Sequence, residues 1–338
     1  MQLKHLVITR FNYRGKDTLK YYKTNSRVSE DPLKPERLEL RFKLFESTCL
    51  PSVLAQSDQE FSWIIIIDKD LQPQYKSRLE SLLKVREFTF FHTFNPDDEL
   101  DRLDWLGPYL PDTPDYVLTT NLDDDDALPN NFISAAHRHI SSAFQVGELP
   151  PIKILGVNEI IQWDMITSRR APLGWRSPWH RGQRTASCGF SLLAKYPHFS
   201  FCVLGVKHSQ AKHYFDFATP PGNRHVEHCR SAFIAAGSDN NEQIDKYPAS
   251  TLFHDLSSET GPVLMSNHTN NVQKWRLYEG KSGKSPVTGP ETFPNLTVDL
   301  ERFETYSRDF RRGLKDSLKS AFGSYSYFKE IRRRRKST

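Results

Sequence analysis

The chain has 338 residues, enough for one large domain or two ordinary ones, and its 26% charged and 37% apolar content is typical of a soluble globular protein. Its longest apolar run, the isoleucines of WIIIID (63–68), is far too short to span a membrane, and no basic start followed by an apolar segment indicates a signal peptide. The four cysteines are scattered without a C-x-x-C pair. That argues against a zinc site and a disulfide scaffold, and it favours a reducing, cytoplasmic location.

The net charge of +5 is unevenly distributed along the chain. From Arg308 to the C-terminus there are eleven Lys or Arg residues and three Asp or Glu residues, a net of +8, which leaves −3 for the rest. Because the basic character belongs to the tail, the body gives no reason to expect a nucleic-acid partner.

Strand and helix patterns alternate through the first 144 residues. Short apolar runs predict strands at 4–11, 61–68, 87–92 and 115–122. Apolar residues at helical spacing predict helices at 36–56, 72–85 and 130–144. Pro51 is expected to kink or split the first of these helices. The alternation predicts an α/β fold with a mainly parallel, Rossmann-like sheet covered by helices.

The pattern changes beyond residue 150. The runs IKILGV, EIIQWDMI and GFSLLAKY predict further strands without regular intervening helices, which indicates a mixed extension of the sheet. Residues 197–298 are rich in His, Pro, Gly and Asn and are expected to be mostly loops, with one helix near 226–236. The sequence therefore divides into segments 1–150, 151–298 and 299–338.

The last segment has a pattern of its own. Apolar and aromatic residues from Phe303 to Phe328 recur at steps of three and four, which predicts a basic amphipathic C-terminal helix weakened by Gly313 and Gly323. One interpretation is a solvated helix packed on the body. The other is peripheral contact with an anionic membrane, where each basic residue contributes about 1 kcal/mol. An RNA-binding arm would lack an accompanying recognition module.

Four consecutive aspartates, Asp123 to Asp126, directly follow the fourth predicted strand. Ligands of parallel sheets bind beyond the carboxyl ends of the strands, and Asp68 also ends a strand, so we expect a shared cleft. In an extended backbone Asp123 and Asp125 point the same way, and paired carboxylates suit a hard divalent cation. Asp126 is then expected to shape the turn and Asp124 to tolerate replacement. A solvated acidic turn that caps a helix is the alternative, whereas an EF-hand lacks its required Gly and Glu here.

Three stretches together resemble a known family. LPSVLAQSDQEFSWIIIID (50–68), LDDDDAL (122–128) and the opening VITRFN (7–12) resemble, in this order and spacing, family 2 glycosyltransferases with the GT-A fold, and most closely the family named for rhamnosyltransferases. The clear resemblance covers residues 4–130. It implies a metal-dependent, inverting transfer of a sugar, rhamnose by the family label, from a nucleotide-diphosphate donor. The acceptor would be a hydroxyl of a glycan or lipid-linked molecule, as in polysaccharide biosynthesis. Residues 1–150 would bind the nucleotide sugar, and residues 151–298 would bind the acceptor within the same domain.

The resemblance also implies roles for single residues at the predicted cleft. Asp68 would contact the base or ribose of the donor, Asp123 the ribose or the metal, and Asp125 would ligate Mn²⁺ or Mg²⁺ at the diphosphate. Arg10 and Asn12, at the end of the first strand, would help to hold the base, with a salt bridge as the alternative.

The catalytic base is less well defined by the resemblance. Its nearest counterpart lies in PGNRHVEHCRSAFIAAG (221–237), where Glu227 takes the acidic position and His228 stands where Asp is common. Asp216 and Asp239 are competing candidates, and an ordinary exposed helix position is the alternative for Glu227.

Histidines and tryptophans of the second half supply further candidates. Some GT-A enzymes add a late histidine to the metal, so His268 and His254 are candidates, with a hydrogen-bonded loop histidine as the alternative for each. A group of aromatic and basic residues suits a wall that stacks on a sugar acceptor, although core packing explains some of its tryptophans equally well. The group comprises Trp163, Arg169, Arg170, Trp175, Arg176, Trp179 and Arg181.

Two rival classes stay open on the sequence. A sugar nucleotidyltransferase would use a glycine-rich basic loop after the first strand, but TRFNYRGKDTLK (9–20) contains a single glycine. A non-catalytic module that binds a cation or a lipid surface would use the aspartates only structurally.

Overall fold

The computed structural model of the chain describes residues 1–12, 14, 31–95, 99–100, 102–111, 114–164, 174–178, 186–197, 201–206, 249–267, 285–287 and 297–299. For residues 162–164, 174–178, 249–250, 267 and 285–287 the description is limited to the backbone.

The first half of the chain alternates strands and helices. The strands are β1 (Leu3–Phe11), β2 (Ser62–Asp68), β3 (Thr89–Phe94) and β4 (Tyr116–Asn121). The helices are α1 (Pro35–Leu44), α2 (Leu50–Leu54), α3 (Pro73–Leu83) and α4 (Phe132–Gln145), with a 3-10 helix at Asp104–Tyr109. All four predicted strands and all three predicted helices are confirmed, with β3 displaced by two residues from its predicted position.

The second half contributes short strands and shorter helices. The strands are β5 (Ile152–Gly156), β6 (Glu159–Asp164), β7 (Gly174–Pro178), β8 (Ser191–Lys195), β9 (Phe253–Asp255), β10 (Val263–Asn267) and β11 (Ser285–Val287). The helices are α5 (Ala249–Leu252), α6 (Ser257–Thr260) and a 3-10 turn at Val203–Gly205.

One seven-stranded sheet organises both halves, in the order β3-β2-β1-β4-β8-β5-β9. Every neighbouring pair is parallel except those made by β8, which runs antiparallel to both β4 and β5. The predicted mainly parallel α/β sheet is confirmed. Because β1, β2 and β4 are adjacent and parallel, their carboxyl ends meet at one edge of the sheet.

Both faces of this sheet are covered by apolar side chains. All seven residues of β2 are buried. Along that strand Trp63, Ile65 and Ile67 belong to one core, which includes α1 and α4, whereas Ile64 and Ile66 belong to the core on the opposite face. The unbroken apolar run of WIIIID is therefore explained by a central strand that is buried on both faces.

The helix containing Pro51 continues through a π-helical turn at Phe45–Cys49 that joins α1 to α2. Proline has no N–H to donate to the carbonyl four residues earlier, which is that of Ser47. The Ser47 carbonyl instead accepts a hydrogen bond from the Asp299 backbone N–H at 2.8 Å. The expected kink or split takes the form of this π-helical turn, and its freed carbonyl anchors a distant part of the chain.

A second, four-stranded sheet has the order β10-β6-β7-β11 and contains both parallel and antiparallel pairs. The predicted mixed extension is confirmed for the described residues. The helix expected near 226–236 and the basic amphipathic helix of the tail lie outside the described residues. No helix in the described part of the chain is long and apolar enough to cross a membrane.

Candidate active site at the carboxyl edge of the sheet

The four aspartates form a tight turn directly after β4, which we call the acidic turn (Asp123–Asp126). The Asp126 backbone N–H donates to the Asp123 carbonyl at 3.1 Å, and residues 124 and 125 occupy the centre of the turn. The extended geometry predicted for this run is therefore wrong. The alternation of side chains along a strand therefore does not explain which carboxylates point the same way. The orientation of each carboxylate is set by its own contacts.

Asp124 and Asp125 are held by one arginine of helix α1. Arg41 forms a two-pronged ion pair with Asp124, in which Nε is 2.8 Å from Oδ2, and its Nη1 lies 3.1 Å from Oδ2 of Asp125. Asp124 is completely buried. A buried carboxylate without its cation is strongly unfavourable, so the structure argues against the expectation that Asp124 tolerates replacement.

Asp126 connects the acidic turn to the second sheet. Its Oδ1 accepts a hydrogen bond from the Ser266 backbone N–H at 3.2 Å. The next residue, Ala127, exchanges two backbone hydrogen bonds of 3.0 Å with Leu264 of β10. The structural role expected for Asp126 agrees with these contacts, and β10 runs antiparallel beside the turn.

The carboxylates of the acidic turn lie close enough to affect one another. Burial raises the pKa of Asp126 well above its usual value, and the charges of Asp125 and Asp123 raise it further. Arg41 opposes this effect only in part. A divalent cation with oxygen ligands would relieve the same repulsion. The donor set and its crowding therefore fit Mn²⁺ or Mg²⁺, and Asp123 is the most exposed of the carboxylates.

The end of β1 faces the same edge of the sheet. Arg10 Nη2 lies 2.9 Å from Asp123 Oδ1, so the salt bridge named as the alternative for Arg10 is present. Asn12 has a left-handed backbone with φ 47°, and its buried Nδ2 has no hydrogen-bond partner among the described residues. Parallel sheets generally bind ligands beyond this edge, so a buried amide donor without a partner here suits an acceptor group of a ligand.

Asp68, at the end of β2, is hydrogen-bonded by Arg14, a residue that the sequence patterns do not single out. The Arg14 backbone N–H and Nη2 lie 2.8 and 3.0 Å from the two Asp68 oxygens, and Arg14 also pairs with Asp70. Burial on its own would raise the pKa of Asp68, but the hydrogen bonds from Arg14 and the Asp70 backbone outweigh it and hold that pKa below its usual value. The carboxylate is thus ionised and already bound by Arg14.

The remaining predicted site residues divide into two groups. His254 lies in β9, where its ring stacks on His139 and contacts Glu259. Strands β6 and β7 place the backbones of Trp163 and Trp175 opposite Gly174 and Gln162, respectively. The backbone of Arg176 also lies in β7, opposite Ile161. The others lie outside the described residues: Glu227, Asp216, Asp239, His268, Arg169, Arg170, Trp179 and Arg181.

The family resemblance is confirmed over the segment that builds this site. Residues 4–150 match a family described as "Putative rhamnosyl transferase". This segment contains β1 to β4, helices α1 to α4 and the whole acidic turn. It is therefore similar to glycosyltransferases over all the elements that carry the acidic turn and its arginine partners.

Other comparisons give distant likenesses. A search of curated proteins found no match. Similar solved structures include residues 1–349 of S. aureus TarS, at 11% identity and a TM-score of 0.26 over 57% of this chain and 47% of that chain. The same TarS segment in complex with UDP has 12% identity and a TM-score of 0.24, over 51% of this chain and 38% of that chain. Mouse xyloside xylosyltransferase 1 in its apo form has 11% sequence identity and a TM-score of 0.28. The match covers 75% of this chain and 85% of that chain. The matched part spans about half the length of the TarS segment.

Proposed function

We propose that the protein is a metal-dependent, inverting glycosyltransferase of the GT-A type. It would transfer a sugar, rhamnose by the family label, from a nucleotide-diphosphate donor to a hydroxyl of a glycan or lipid-linked acceptor. The observation that carries the proposal is the acidic turn. Four carboxylates, three of them buried, stand at the carboxyl end of β4 inside the segment that matches the family. This edge of a parallel sheet is where ligands bind.

Asp123 and Asp125 are the proposed ligands of Mn²⁺ or Mg²⁺. Arg41 holds Asp125, and Asp126 fixes the turn through Ser266, so the protein presents these oxygens in a set position. His268 is the proposed third ligand, because β10 runs beside the acidic turn and ends at Asn267, the preceding residue. A bound divalent cation would neutralise charge that develops on a leaving diphosphate.

The ends of β1 and β2 are the proposed donor-binding surface. Asn12 offers an amide N–H to a base or ribose acceptor, and Arg10 orients Asp123 through their ion pair. Asp68 would accept a hydrogen bond from the base or ribose once Arg14 releases one of its own hydrogen bonds to Asp68. Alternatively, Asp68 would hold Arg14 in place, and Arg14 would contact the donor. Arg14 carries the positive charge that a diphosphate attracts.

Glu227 or Asp216 is the proposed general base for the acceptor. The base would remove the hydroxyl proton as the oxygen bonds to the anomeric carbon and the bond from that carbon to the diphosphate breaks. A single displacement of this kind inverts the anomeric configuration. The proposed setting is cytoplasmic, with the basic tail making peripheral contact with anionic lipid.

Calorimetry with nucleoside diphosphates tests the donor site directly. UDP and dTDP should bind with Mn²⁺ present and weakly or not at all without it. Asp125→Asn should abolish the dependence on Mn²⁺, whereas Glu148→Gln, an exposed control, should leave it intact. Binding of Mn²⁺ with no linked nucleotide binding would favour the non-catalytic module. Release of pyrophosphate from a nucleoside triphosphate and a sugar phosphate would favour the nucleotidyltransferase.

A further inference from the structure

Two histidines and a glutamate meet at the β9 edge of the main sheet, separate in sequence from the acidic turn. His139 lies in α4, His254 in β9 and Glu259 in α6. One ligand atom of each lies within 4.8 Å of those of the other two. The two imidazole rings are stacked with centroids 3.6 Å apart, and His254 Nε2 is 2.7 Å from a Glu259 carboxylate oxygen. Three side chains from three elements thus present metal-binding atoms to one place.

His139 contributes a ring nitrogen without a partner among the described residues. This atom, Nε2, is buried. A buried nitrogen without a partner costs free energy that a bound ion would recover.

The backbone around Glu259 is fixed before any ion binds. Asp255 Oδ1 accepts from the Ser257 hydroxyl at 2.6 Å and from the Ser257 N–H at 2.9 Å, which holds the start of α6. The side-chain amide of Asn131, at the start of α4, donates to the Glu259 carbonyl at 2.9 Å. The α6 turn is thus tied directly to the helix that carries His139, and a rigid frame favours metal binding.

We propose that His139, His254 and Glu259 form a second metal site that takes a transition metal such as Zn²⁺. Two imidazole nitrogens and one carboxylate, with water in the fourth position, are a common ligand set for this ion. This nitrogen-rich set differs from the all-carboxylate acidic turn, which suits Mg²⁺ or Mn²⁺. Binding would require the two rings to turn out of their stack, and Glu259 would exchange its contact with His254 for the ion.

The site would stabilise the segment that supports the acidic turn. Residues 253–260 carry two of the ligands, and the same stretch of chain continues directly into β10. There the Ser266 N–H bonds to Asp126 and Leu264 pairs with Ala127. A metal that joins α4 to α6 would therefore restrain β10 against the acidic turn without itself touching a substrate.

Cobalt titration of the whole chain tests the proposal, because tetrahedral Co²⁺ with nitrogen ligands absorbs visible light more strongly than octahedral Co²⁺. The titration is run at pH 8, where Lys153, whose pKa burial lowers to about 8, is about half deprotonated and opposes a nearby cation less than at lower pH. We expect one strongly absorbing Co²⁺ per chain, displaced by Zn²⁺ and unaffected by excess Mg²⁺. Addition of Zn²⁺ should raise the melting temperature of the protein.

Matched variants separate this site from others. Glu259→Gln changes a partly exposed residue and should weaken Co²⁺ binding by ~10-fold or more. His139→Phe keeps a stacked ring but removes the nitrogen and should abolish the absorbing site. Glu148→Gln and Asp125→Asn should retain it. If Glu259→Gln and His139→Phe both bind Co²⁺ like the unmodified chain, or if the unmodified chain shows no strongly absorbing Co²⁺, the proposal is overturned, whatever the outcome for glycosyl transfer.

Discussion

Replacing Arg41 by methionine tests whether one arginine neutralises the acidic turn. Met fills similar space but leaves the fully buried Asp124 and the nearly buried Asp125 without their cation. Breaking a buried ion pair costs about 3–5 kcal/mol. Since the Arg41 side chain is 15% exposed, we expect the lower end, about 3 kcal/mol. For a chain of 338 residues this corresponds to a decrease in melting temperature on the order of 4 °C.

The assay is thermal unfolding of the metal-free protein, followed by circular dichroism at pH 7 and pH 4. The deficit of Arg41→Met should shrink at pH 4, because a protonated Asp124 no longer leaves a buried charge. Arg138→Met is the matched control, since Arg138 is exposed on α4 and bonds only to the Ser134 hydroxyl among the contacts described. If Arg41→Met melts within 1 °C of Arg138→Met at pH 7, the ion pair does not stabilise the turn and the reasoning is refuted.

Three further changes probe the neighbouring contacts by the same assay. Gly189→Ala should cost about 1–3 kcal/mol, because φ is 73° there and an added Cβ would lie 2.9 Å from a ring carbon; an unchanged melting temperature would contradict this. Asp126→Asn keeps an acceptor for Ser266 but removes the carboxylate. Burial and the neighbouring carboxylates raise the pKa of Asp126, so the stability linked to its protonation is full below the unfolded value of about 4 and is lost as pH rises through the folded value. The variant should therefore be more stable at pH 7 without metal, and the gain should vanish near pH 4. Asp68 has a lowered pKa, so its stabilisation is present above the unfolded value of about 4 and is lost as pH falls through the folded value. Arg14→Met should accordingly destabilise the protein more at pH 7 than at pH 3, and an equal loss at both would count against the pair.

The sheet was predictable because its strands carry strong local signals. The apolar run of β2 and the helical spacing along α4 do not depend on distant contacts, and both elements form where the sequence predicts them. The offset of β3 reflects a weaker signal, since its residues are only partly buried. The π-helical turn could not be predicted in detail, because the partner for the Ser47 carbonyl comes from Asp299, far along the chain.

The position of the carboxylates was predictable, but their charge pairing was not. That carboxylates lie at the carboxyl ends of β2 and β4 follows from parallel topology alone. The arginine partners of these carboxylates could not be predicted in the same way. Arg41 reaches Asp124 from a helix more than eighty residues earlier, and Arg14 belongs to a polar stretch without periodicity. The helical spacing does not single out Arg41, because Lys43 stands equally close in sequence to the buried Phe42.

The most direct measurement of the central claim is a panel of sugar nucleotides, dTDP-rhamnose among them, incubated with the protein and Mn²⁺ and assayed for release of nucleoside diphosphate. We expect at least one donor to be hydrolysed or transferred, with activity lost in EDTA and in Asp125→Asn but kept in Glu148→Gln. Release that is equally fast in Asp125→Asn, or no metal-dependent turnover or binding of any donor by the folded protein, would contradict the account.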